Sequence, residues 1–72
     1  MFNAGTPAQE MSTSQLNETI DEIMQYARET KDRQLLKEAR EAKRSSRETK
    51  EAFVDDARED IQMAISEQEA VQ

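Results

Sequence analysis

No glycine follows Gly5 and no proline follows Pro7, so the run from Ala8 to Gln72 lacks both of the residues that most readily interrupt a helix. Along it, apolar or small side chains return every three or four positions, interrupted by a few polar ones: Leu16, Ile20, Ile23, Ala27, Lys31, Leu35, Ala39, Ala42, Ser46, Thr49, Phe53, Ala57, Ile61, Ala64, Gln68 and Val71. Fifteen steps cover 55 residues, a mean of about 3.67, which is the spacing of an eleven-residue repeat and favours straight or weakly right-handed packing of helices. The expected fold is therefore all-α: one long amphipathic helix, or a two-helix hairpin bent near residues 44–47, behind a short N-terminal arm. This pattern specifies contact and leaves chemistry open.

The boundaries follow from local signals. Residues 1–6 read as an extended arm, with Gly5 permissive and Phe2 its only large apolar anchor, and residues 7–72 as the helical segment. Thr6-Pro7-Ala8-Gln9 has the layout of a capped helix start, and Ser12-x-x-Gln15 offers a second one a turn later. Two stretches of the stripe, 28–34 and 43–51, carry no apolar side chain, and the second contains a capping box, Ser45-x-x-Glu48, that would allow a reversal. A break near Lys31–Gln34 is the remaining option. Against a reversal in the second stretch, it contains no Gly or Asn to take the left-handed position that commonly ends a helix. An internal echo runs through the same region: Arg28-Glu29-Thr30-Lys31 recurs as Arg47-Glu48-Thr49-Lys50, and Lys37–Glu41 resembles Asp55–Glu59.

A chain of 72 residues buries only a modest fraction of its surface, and no Cys or His is present to staple it with a disulfide or a structural zinc. Its large rings number three, Phe2, Tyr26 and Phe53. Company is the expected source of stability: an oligomer, or a helix that orders on a partner. The stripe residues Leu16, Ile20, Ile23, Ala27, Leu35, Ala39, Ala42, Phe53, Ala57, Ile61, Ala64 and Ile65, with Phe2, are the candidate interface. Polar seam positions Lys31, Ser46, Thr49 and Gln68 would then restrict the registers in which helices pair.

Without His or Cys, the commonest general base and the usual nucleophile pairs are missing. Carboxylates spaced four apart, Glu18/Glu22, Asp55/Glu59 and Asp56/Asp60, share helix faces, but no glycine turn supplies further ligands for a hard cation. No enzyme activity, cofactor or metal is expected.

The net charge of −6 divides into blocks of −4 over residues 1–27, +4 over 28–50 and −6 over 51–72. The central block holds Arg28, Lys31, Arg33, Lys37, Arg40, Lys43, Arg44, Arg47 and Lys50, a candidate charged interface. Nucleic acid is not the expected partner, because Glu29, Asp32, Glu38, Glu41 and Glu48 are interleaved, with pairs such as Glu29/Arg33, Arg28/Asp32 and Arg44/Glu48 at helical distance, and no aromatic ring lies within the block. Acidic ends argue against an anionic membrane surface, no apolar run approaches a membrane span, and the first residues lack the layout of a secretory signal. A soluble chain is expected, in the cytoplasm or within a virion or other large complex; a start at Met1 and a small unstapled core suit a minor component of such an assembly. The function expected is structural: the stripe packs against copies of the chain, staggered so that an acidic end meets a basic middle, or against a larger protein. The alternatives are an acidic inhibitor that mimics nucleic acid and a small nucleic-acid-binding regulator using residues 28–50.

Overall fold

The Ser12-x-x-Gln15 box opens the first long helix. A computed structural model describes residues 7–71, with side chains as far as Glu67. The Gln15 N–H donates to Ser12 Oγ at 3.2 Å and the Ser12 N–H to Gln15 Oε1 at 2.9 Å, so both halves of the box are made. Helix α1 runs Thr13–Thr30, α2 Arg33–Lys43 and α3 Arg47–Val71. The Pro7 start also has an effect, since a 3-10 turn spans Ala8–Glu10 ahead of α1. Thr6 and the arm with Phe2 lie outside the described residues.

The fold is all-α, and every regular element among the described residues is helical. It is neither one long helix nor a two-helix hairpin: the chain reverses twice, at Lys31–Asp32 as well as near residues 44–46. The first reversal, at the break the sequence offered near Lys31–Gln34, uses a left-handed residue that is neither Gly nor Asn. Lys31 itself sits at φ 60, ψ 32. Two hydrogen bonds close the end of α1 around it, Lys31 N–H to Arg28 O at 3.3 Å and Asp32 N–H to Ala27 O at 2.8 Å. This is the paired 5→2 and 6→1 arrangement that satisfies the last carbonyls of a helix. Asp32 then caps α2, its carboxylate accepting from Leu35 N–H at 3.1 Å. One residue finishes one reversal and starts the next helix.

Because Lys31 is exposed and pays the steric cost of its Cβ in the left-handed region, Lys31→Gly is expected to stabilise the fold. The relief of about 1–2 kcal/mol exceeds the extra unfolded-state entropy of glycine, for a net gain of roughly 0.5–1 kcal/mol. The urea midpoint should rise at constant slope; a fall would contradict the geometry.

At the second reversal the predicted Ser45-x-x-Glu48 box is not formed. Ser45 Oγ donates instead to Glu41 O at 2.7 Å, tightening the end of α2. Ser46 takes the position before α3, its carbonyl accepting from Lys50 N–H at 3.0 Å and its hydroxyl lying 3.4 Å from Thr49 Oγ1. The polar seam positions Lys31 and Ser46 are thus chain reversals, where the notional single stripe was expected to set register. The charge pairs Glu29/Arg33, Arg28/Asp32 and Arg44/Glu48 straddle these breaks and do not share a helix. The echoed tetrapeptide has opposite roles in its two copies: Arg28–Lys31 ends α1 and Arg47–Lys50 opens α3.

The three helices run up, down and up. Arg47 and Lys50 at the start of α3 reach Thr13 and Asn17 at the start of α1, whereas Lys43 at the end of α2 reaches Asp21. Leu16, Ile20, Ile23 and Val54 are the largest fully buried side chains, joined by Ala27, Ala39, Ala42, Ala57 and Ile61. The alanines of α2 and α3 allow close approach of the helices but add little apolar area, so the core is thin. Ala8 and Met11 of the N-terminal segment complete it. Helix α3 has 25 residues, about 37 Å at 1.5 Å per residue, against 18 residues in α1, and its last turns outrun the bundle.

Candidate protein-docking groove

The stripe residues find their contacts inside the chain. Leu16, Ile20, Ile23, Ala27, Ala39, Ala42, Ala57 and Ile61 are buried within one molecule, while Leu35, Phe53 and Ala64 are half-buried and Ile65 is 42% exposed. What remains at the surface is a groove where α2 lies antiparallel to α3. Its floor is Leu35, Ala42, Phe53, Ala57, Ile61 and Ala64, with Tyr26 of α1 lining one end. Its rim is acidic: Glu38 and Glu41 from α2, Asp56 and Asp60 from α3, and Asp32 at the mouth. Two adjoining depressions of about 350 and 330 Å³ make up its length, sharing Leu35, Glu38 and Asp60. Among the described residues neither is lined by a lysine or arginine.

The helical period explains the arrangement. On α2, Ala39 and Ala42 face the core, which turns Gln34, Glu38, Glu41 and Ser45 toward α3 and leaves Arg33, Lys37, Arg40 and Arg44 on the outer, exposed flank. One short helix therefore separates its charges by face. On α3, burial of Val54, Ala57 and Ile61 sets Thr49, Phe53, Asp56 and Asp60 along the groove edge.

The basic block is divided between two tasks. Lys43 pairs with Asp21 at 2.5 Å. Lys50, nearly buried, donates to Asn17 Oδ1 at 2.7 Å. Arg47 donates to the carbonyls of Met11 and Gln9 and to Thr13 Oγ1, and so clamps the N-terminal segment against α3. Met11, 2% exposed, places its sulfur 3.9 Å from both the Thr19 hydroxyl and Arg58 Nη2. Arg28, Lys31, Arg33, Lys37, Arg40 and Arg44 stay exposed.

Sequence reasoning did not single out Ala8, Met11, Thr19, Lys50 or Arg58 as buried, nor Val54 as the centre of the α3 face. The stripe favoured Phe53 over Val54; in the structure Val54 is fully buried and Phe53 half-buried. The acidic pairs do not form a metal cluster among the described residues. No described helix is long and apolar enough to cross a membrane. Comparisons with protein-family models, curated proteins and solved structures find no match for this chain.

Proposed function

We propose that this chain is a non-enzymatic docking module, a structural or assembly component that receives a helix of another protein or another copy in the groove between α2 and α3. The observation that carries this reading is that Leu35, Phe53 and Ala64 stay half-buried on a groove floor between two helices that is rimmed by carboxylates from both sides. Half-filled grooves of this kind suit an amphipathic helix laid along them, whose apolar face completes the packing. The described lining carries no His or Cys, and its apolar floor and charged rim support binding.

The test is solution mass measurement combined with pull-down, using three baits: the wild-type chain, Ala52→Arg at the groove edge and Arg40→Glu on the outer flank. Both substituted residues are exposed, so folding should survive, as circular dichroism will verify. Association lost with Ala52→Arg and kept with Arg40→Glu is the expected result. A partner-free monomer, or identical partners on all three baits, would remove the docking reading. The exposed flank Arg33, Lys37, Arg40 and Arg44 favours a second reading, contact with a nucleic acid; association that fails with Arg40→Glu and collapses with salt would support it.

A further inference from the structure

The occupant of the groove can be named by its chemistry, on the premise that the groove is the docking surface. We infer that it is a basic amphipathic helix of a different protein, about four turns long. The rim presents Glu38, Glu41, Asp56 and Asp60 with no base among the described lining residues, so an incoming helix must carry Lys or Arg on both flanks of its apolar stripe. From Thr49 at one end to Ala64 at the other the groove edge of α3 covers fifteen helical steps, about 22 Å, which a helix of roughly 15 residues spans. Next to Ala64, Met63 is 56% and Ile65 42% exposed, but neither lines the groove.

A second copy of the chain does not meet these requirements. Its basic flank, Arg33, Lys37, Arg40 and Arg44, adjoins a single large apolar side chain, the half-buried Leu36, too little to fill a floor of several turns. Its exposed apolar end, Met63 and Ile65, lies between Glu59, Asp60 and Glu67 and would bring carboxylates against carboxylates. Among the described residues the exposed large apolar side chains, Met63 and Ile65, stand apart from this basic flank. The groove needs both on one helix.

Fluorescence anisotropy on the full chain tests this with three labelled peptides of about 15 residues at roughly 150 mM salt. One carries a leucine stripe with Lys/Arg flanks, the second the same stripe with Glu flanks, and the third the composition of the first with the stripe scrambled. The first should bind at least about tenfold more tightly than either control, and the double substitution Asp56→Lys/Asp60→Lys should weaken it by about tenfold or more. Both aspartates are exposed, so the variant should keep its helicity. Equal binding of the Glu-flanked peptide would overturn the basic occupant while leaving the docking groove standing. Equal binding of the scrambled peptide, or no binding of any, would overturn both. Sedimentation of the chain alone over the same concentrations supplies the last arm: self-association abolished by the double substitution would make the occupant another copy and refute the inference.

Discussion

Replacing Ile23 with Asp should abolish the cooperative helical fold, whereas Asp at Gln25, two positions along the same helix, should leave it nearly intact. Ile23 is fully buried between the helices and Gln25 is exposed. A chain of 72 residues has roughly 4–11 kcal/mol of total stability, and the thin core places this one toward the lower end. Losing the isoleucine burial and forcing a carboxylate into an apolar site costs about 4 kcal/mol or more, enough to remove most of that margin. An exposed Gln→Asp change stays within about 0.5 kcal/mol. The pair Ile61→Asp and Gln62→Asp should separate in the same sense, since Ile61 is 3% exposed and Gln62 lies at the surface. Helicity by circular dichroism and urea titration provide the readout. Equal losses at Ile23 and Gln25 would mean that α1 does not bury this face.

The second large effect is expected at Arg47. Its guanidinium donates to two carbonyls of the N-terminal segment, at Gln9 and Met11, and to the Thr13 hydroxyl. Hydrogen bonds from a charged donor contribute about 1.5–3 kcal/mol when the partner is otherwise left without one, so Arg47→Ala should cost about 2 kcal/mol. The loss should be local. Residues 8–11 should detach first, taking Ala8 and Met11 out of the core, while the α1–α2–α3 packing persists. Amide exchange at Glu10 and Met11, whose N–H groups bond to Pro7 O and Ala8 O, should accelerate far more than exchange at Ile20 or Ile23. Arg47→Lys should recover only part of the protection, because a single ammonium cannot reproduce the planar fork. Unchanged protection in Arg47→Ala would show that Met11 packing alone holds the segment.

Legibility differed from one feature to the next for physical reasons. Helix content was readable throughout, because propensity and the return of apolar residues act over a few neighbouring positions. The capping box at Ser12 and Gln15 is likewise local, and both of its hydrogen bonds form. The reversal at Lys31 was the least readable. A lysine there has no local preference for the left-handed region, and it adopts φ 60 because two carbonyls of α1 are satisfied and α2 can fold back onto Ile20 and Ile23. The stripe itself misleads at this point, since the same residues with the same spacing fit one long helix packed on a neighbour or three short ones packed on each other.

The sequence by itself determined which residues are apolar, where helices can start, and that no imidazole or thiol is present. It also determined the three charge blocks. Only the tertiary structure decided that much of the stripe is buried within the chain, because folding back brings Leu16, Ile23, Val54 and Ile61 together. It also decided which charges find partners within the chain: Lys43 and Arg47 reach Asp21 and Met11 at the surface, Lys50 is buried against Asn17, and Glu38, Glu41, Asp56 and Asp60 gather around one groove. Spacing along the chain fixes the face of a helix on which a residue stands. What that face meets depends on where the chain turns, and a turn whose energy comes from contacts it has yet to form leaves only a faint local trace.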